Sequence, residues 1–158
     1  MSVSEKDEKT ALDHAWRYFD LHAGQRMSLF NYYLALSGLV LAGIAGTYDK
    51  ASLHVVGILL GIALATVAYI FWKLDQRVSF MLKRAELALG KLECALQLPA
   101  RLFHSEPEHT KQACSANGIW TYGKSFRIVF LLTGSVGLSL SVLQIAWWAL
   151  THWNGRIH

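Results

Sequence analysis

The chain has 158 residues, 53% of them hydrophobic and only 16% charged, with a net charge of +4. At a mean hydropathy of +0.28 it is too apolar for an ordinary soluble domain of this length, and no long segment collects the Ser, Pro and charge that mark disorder. Its two cysteines, Cys94 and Cys114, cannot build a disulfide framework.

No Asp, Glu, Lys or Arg occurs from Met27 to Tyr48, from Ala51 to Trp72, or from Ile128 to Gly155. Each run is at least as long as the roughly 20 apolar residues that, at about 1.5 Å apiece, cross a hydrocarbon core about 30 Å thick. The expected fold is an all-α membrane protein with three transmembrane helices, at 27–48, 51–72 and 126–150. An amphipathic cytoplasmic helix, 1–26, precedes them; a cytoplasmic extension of the second span and a loop fill 73–125, and an external tail closes the chain at 151–158.

In the first segment Leu12, Ala15, Trp16, Phe19 and Ala23 recur at the spacing of one helix face. No proline separates this helix from the first span, so Gly24 is the only point where a bend is cheap. Thr47-Tyr48-Asp49-Lys50 reads as a short turn that makes the first two spans an antiparallel hairpin. The second span meets no breaker at its inner end, and Leu74, Val78, Met81, Leu82, Ala85, Leu89, Leu92 and Leu96 carry a helical stripe to Leu98, before Pro99. Span and extension together predict one helix of about 46 residues and about 70 Å. Its apolar stripe needs a cover, either the N-terminal helix of the same chain or a neighbouring subunit. From Ala100 to about Ala116 the pattern breaks down into a polar stretch that reads as a loop or short helices, Asn117-Gly118 is a turn or helix stop, and Trp120 and Tyr122 lead into the third span. Trp147, Trp148 and Trp153 mark that span's far end.

Charge sets the expected orientation. Lys6, Lys9, Arg17 and Arg26 precede the first span, only Lys50 lies in the first turn, and Lys73, Arg77, Lys83, Arg84, Lys91, Arg101, Lys111, Lys124 and Arg127 flank the large loop. The positive-inside rule then puts the N-terminus and this loop in the cytoplasm and the C-terminus outside the plasma membrane. The basic balance is explained without nucleic acid, and no DNA binding is expected. No cleavable signal peptide is expected, because Met1 to Thr10 is acidic and polar and the first apolar run begins late.

Gly57, Gly61 and Ala65 form a small-residue ridge on the second span that admits close helix approach. It suits packing on the first span, where Gly38, Ala42 and Ala45 offer a similar face, or an intersubunit contact. On the third span Gly134, Gly137, Ser141, Gln144 and Trp148 recur at three- and four-residue intervals. A glutamine facing lipid leaves its amide without partners, so the stripe either packs on the other two spans or faces symmetry mates around an axis, as in a bundle or pore.

Arg17 and His22 have the R-x4-6-H spacing of HEPN ribonucleases, in which a histidine assists attack of a 2′-hydroxyl and an arginine steadies the phosphate. Five residues apart on one helix they diverge by about 140°, and contacts of Arg17, His22 and Arg26 with lipid phosphates or Asp20 are the simpler account. Cys94, His104, His109 and Cys114 lack the close pairing of zinc ligands. The chain has no phosphate-binding glycine loop, nucleophile elbow, zincin motif or intramembrane acid; no cofactor, metal or enzymatic activity is expected.

The stretch from Trp16 to Gly46, with Lys73-Leu-Asp-Gln-Arg77 and Ala85-Glu86 after the second span, resembles a group of small bacterial membrane proteins associated with anti-phage systems. It is similar to the Csx-type membrane accessory proteins of type VI-B CRISPR systems over roughly the first 95 residues. The resemblance implies a homo-oligomeric pore in the bacterial inner membrane with a cytoplasmic vestibule and a divergent HEPN-like motif, which maps only to Arg17 and His22. Expected partners are membrane lipid, further copies of the chain, and a cytoplasmic defence protein or RNA-guided complex. The expected function is a pore-forming or membrane-perturbing effector or accessory in anti-phage defence. A membrane-tethered ribonuclease and a scaffold recruiting a cytoplasmic protein are the alternatives.

Overall fold

The computed structural model describes residues 3–48, 50–99, 101–106, 108, 115 and 120–154. Three long helices dominate: α1 (Val3–Ala45), α2 (His54–Ala95) and α3 (Tyr122–Asn154), with no strand among the described residues. Each contains a stretch long and apolar enough to cross a membrane.

The helix boundaries follow local chemistry. α1 runs without interruption through Gly24, whose cost of about 1 kcal/mol as a lone glycine does not break a helix of 43 residues. Beyond its end, Gly46 N–H still donates to Ala42 O at 3.1 Å, and the Thr47 hydroxyl donates to Ile44 O at 2.6 Å, which satisfies one of the carbonyls a helix leaves orphaned. A single 3-10 turn, Ala51–Leu53, leads into α2. Among the turn residues expected from the sequence, Asp49 lies outside the described set.

α2 ends at Ala95 rather than Leu98, and Pro99 is not what stops it. Leu98 N–H donates to Glu93 O at 3.1 Å and Gln97 N–H to Cys94 O at 3.2 Å, while Gln97 takes a positive φ of 49°. These are the two bonds and the left-handed residue of a Schellman motif, here with Gln in the position glycine usually fills. At the start of α3, Thr121 acts as N-cap: Lys124 N–H reaches its hydroxyl at 3.4 Å. The expected Asn117-Gly118 turn and the tail from Gly155 lie outside the described residues.

The chain divides into two compact units. The apolar unit comprises Leu29–Leu74 and Phe126–His158. Tyr33, Ala68, Phe126 and Phe130 are buried at its centre, with Phe30, Phe71 and Trp72 packed around them. Phe30 and Phe126 stack with centroids 4.0 Å apart, and the Tyr33 ring stands edge-on to Phe130 at 4.7 Å; such pairs contribute about 0.5–1.5 kcal/mol each beyond area burial. Its outer surface is also apolar, for Leu39, Val55, Leu59, Leu132, Val142 and Leu143 are exposed. The exposed hydroxyls of Thr66 and Ser135 turn back to Ile62 O and Leu131 O, one helical turn earlier.

The charged unit comprises Met1–Ser28 and Asp75–Ser125. Val78, Leu82, Ala85 and Leu89 of α2 are buried there, and Leu12, Ala15, Phe19 and Ala23 of α1 are half-buried. The apolar stripe of α2 is therefore covered within one chain.

Candidate functional site

Within the apolar unit, small residues of α2 and α3 create a polar seam. A Cβ placed on Gly57 would collide with the Gln144 carboxamide and the Thr47 hydroxyl. One on Gly61 would collide with the Ser141 hydroxyl and stand 2.6 Å from Gly137 O, and one on Gly137 would stand 2.7 Å from Gly61 O. Gly61 and Gly137 thus present Cα hydrogens to each other's carbonyls, the weak reciprocal bond typical of close helix pairs. A Cβ on Gly134 would stand 3.3 Å from the Ala68 Cβ, and the Ala65 backbone nitrogen lies at the same distance from a Cβ on Gly137.

That close approach seats three polar side chains. The Ser141 hydroxyl lies 3.1 Å from both Ile58 O and Gly137 O. Gln144, only 2% exposed, donates through Nε2 to the Thr47 hydroxyl at 3.0 Å. Thr47 accepts that bond and donates its own O–H to Ile44 O, while Gln144 Oε1 lies against Gly57 without a conventional donor. Of the sequence-predicted stripe, the structure brings Gly134, Gly137, Ser141 and Gln144 against α2 in the same chain, and Trp148 is exposed.

The ridge of Gly57, Gly61 and Ala65 meets α3, not the face of α1 that the sequence offers. A Cβ on Gly38 meets nothing within 4 Å, and Ala42 and Ala45 are exposed. The reason is complementarity: two glycine ridges interlock, whereas α1 turns the bulky Tyr33 and Ile44 inward.

In the charged unit α1 and α2 are tied by Arg26 and Asp75. Arg26 Nε donates to Asp75 Oδ1 at 2.7 Å and its Nη2 to Oδ2 at 3.3 Å, a forked geometry with side chains 14% and 5% exposed. Farther along α2, the buried Glu93 carboxylate accepts the Phe103 N–H at 3.3 Å and the His104 N–H at 3.0 Å, capping the short helical stretch 102–106. The backbone at Phe103 and His104 runs 3.4 Å from where Gly90 would carry a Cβ, and the Phe103 ring stands edge-on to Trp16 and Phe19. Glu86, in the charged half of α2 beyond Trp72, is held above its ordinary value by partial burial and then by nearby Glu106, against the opposing pull of Lys83 and Arg26.

Arg17 and His22 are not brought together. Arg17 is exposed, and His22 Nδ1 lies 2.8 Å from Gln25 Oε1 with its ring edge-on to Tyr18. His109 and Cys114 lie outside the described residues, and among the described ones no group of three His, Cys, Asp or Glu is placed to hold a metal. Asp75, Thr47 and Glu93 are not marked by the sequence as contact residues, and Arg26, expected to meet lipid phosphates or Asp20, pairs with Asp75 instead. Asp75 had a signal: it falls seven residues after Ala68 and seven before Leu82, on the buried line of α2, where a lone acid demands a cationic partner.

These features define an all-helical protein with three helices fit to cross a membrane, joined by a glycine-centred polar seam and a buried ion pair. No family model matches the chain, and no solved structure matches it. It is 42% identical over 134 residues, 84% of its length and 89% of the relative's, to the CD-NTase-associated protein 19 of Escherichia coli. The chain belongs to the family of that protein.

Proposed function

We propose that the chain is a membrane-spanning component of a CD-NTase-linked anti-phage defence system that acts by altering inner-membrane permeability as a homo-oligomer. The observation that carries the membrane part is the apolar unit: its helices are apolar outward as well as inward, a surface suited to lipid and a liability in water. The defence part is supported by the family relationship and by the resemblance to anti-phage membrane accessories. Tyr33, Leu64, Ala68 and Phe130 fill the interior of the apolar unit, so a conducting path runs between copies or through disturbed lipid rather than within one chain. The action is non-enzymatic in this reading, which is supported by an exposed Arg17 and a His22 whose Nδ1 lies against Gln25.

The proposed orientation keeps the N-terminus and the 73–125 segment in the cytoplasm. Alkaline phosphatase fused after His158 is expected to be active and fused at Glu106 inactive. Purified protein in liposomes should release an entrapped dye and give discrete conductances in planar bilayers. Removal from membranes by alkaline carbonate, or intact liposomes at high protein density, would refute the reading.

A further inference from the structure

The charged half of α2 has a second face, opposite the buried line of Val78, Leu82, Ala85 and Leu89. Arg77, Phe80, Arg84, Leu87 and Lys91 recur at intervals of three, four, three and four residues, and all five are exposed. Phe80 is 63% and Leu87 65% exposed, with the Arg84 guanidinium over the Phe80 ring at 6.0 Å. Only one acid, Glu86, lies between residues 76 and 92; it is half-buried and off this face. The stripe extends about 21 Å along the helix, with its two apolar residues about 10 Å apart.

We propose that this stripe docks an acidic amphipathic helix of a partner protein. Two apolar side chains of the partner, seven residues apart, cover Phe80 and Leu87, and flanking Asp or Glu residues meet Arg77, Arg84 and Lys91. Charge complementarity selects this occupant. On a second copy the exposed Asp13 and Asp20 share their side of α1 with Arg17, whose charge the cations of the stripe repel. A bilayer headgroup layer, about 5–8 Å deep on each side, reaches one turn of a helix that enters the membrane upright, not 21 Å of it. Leu87 has no ring face on which a nucleobase would stack. The inference rests on the proposed function only for the cytoplasmic placement of the 73–125 segment.

The test uses the full chain in nanodiscs and a fluorescent 21-residue helix built from heptads with leucine on one face and glutamate beside it. Micromolar binding is expected, at least tenfold weaker in Phe80→Ser/Leu87→Ser, and unchanged in the control Lys6→Gln on α1. Arg77→Glu/Arg84→Glu/Lys91→Glu should lose this peptide and gain its lysine counterpart. Absence of binding overturns the proposal, as does binding indifferent to Phe80→Ser/Leu87→Ser. It is also overturned if these variants instead abolish binding to phosphatidylglycerol vesicles or poly(U) RNA while sparing the peptide, or dissociate the chain's own oligomer. Dye release from liposomes, measured separately, reports on the permeability reading, so the two can fail independently.

Discussion

Gly61→Ala tests the α2–α3 seam most directly. Its Cβ would stand 2.6 Å from Gly137 O, about 0.8 Å short of the 3.4 Å at which ordinary van der Waals contact begins. That oxygen belongs to backbone and cannot swing aside, so α3 must retreat. A radial gap of about 0.5–1 Å forfeits a quarter to a half of each dispersion contact across it, and the retreat stretches the 3.1 Å bond from Ser141 to Ile58 O. Overpacking of this kind costs about 1–3 kcal/mol, of which the higher helix propensity of alanine returns about 1 kcal/mol. The net is a loss of about 0–2 kcal/mol, expected near the upper end because the obstructing atom is backbone. Gly38→Ala, with nothing within 4 Å, should be neutral or stabilising by up to about 1 kcal/mol. Both are read by unfolding in mild detergent titrated with dodecyl sulfate, followed by circular dichroism. Equal stability of Gly61→Ala and wild type, or equal damage from both alanines, would refute the interlocked glycines.

Asp75→Ala strips a mostly buried guanidinium of its carboxylate and should cost about 3 kcal/mol, the low end for a broken buried pair given the residual exposure of Arg26; Arg26→Met/Asp75→Leu should recover most of it in the same assay. Glu93→Ala leaves the Phe103 and His104 N–H groups uncapped, at about 1–3 kcal/mol, and limited proteolysis should cut first within 101–106. Gln97→Gly relieves a left-handed residue and should stabilise by about 1 kcal/mol. For Glu86, a folded-state value raised above the ordinary 4.5 means that the folded chain binds the extra proton. Its stability therefore falls as pH rises from 4.5 through the raised value and is level beyond it. Glu86→Gln should remove that slope, so its advantage over wild type in unfolding midpoint grows over this window and then stays constant.

Much of the architecture is legible in the sequence because charge and period are local signals. Three charge-free runs foretell three long helices, and the continued stripe of α2 foretells a helix that outlasts its apolar segment. Partner choice is not local. The Gly57–Gly61 ridge announces a close approach but fits any small-residue face, and only the interlock with Gly137 distinguishes α3 from α1. The α2 terminus was misplaced because proline is a visible stop, whereas a Gln in the left-handed region is an unfavourable choice that composition does not flag. Arg26 and Asp75, 49 residues apart, read in the sequence as charges flanking spans, and the bond between them emerges only when α1 and α2 lie antiparallel.

The buried line of α2 shows why one helix carries such different chemistry along its length. Gly57, Gly61, Leu64, Ala68, Phe71, Asp75, Val78, Leu82, Ala85 and Leu89 follow one another at intervals of three and four, the spacing of a single inward seam. Its first part uses glycine, alanine and hydrogen-bonded polar partners; its last part uses valine and leucine. In hydrocarbon there is no gain in hiding a leucine from a solvent as apolar as itself, so helices associate through close contact and interhelical hydrogen bonds. In water, burial of a leucine is favourable by about 1.5–3 kcal/mol, and close backbone approach is not needed. The change of means falls at Asp75, where a polar pair takes the seam position. On the proposed membrane reading the seam follows a change of solvent along α2, and reversing it should expose that dependence: Leu82→Gly should destabilise by losing leucine burial and Gly61→Leu by overpacking the glycine contact, in detergent and in lipid alike. A Gly61→Leu chain as stable as wild type would show that the apolar unit is held by area burial instead, and would remove the physical basis for placing it in a membrane by its packing.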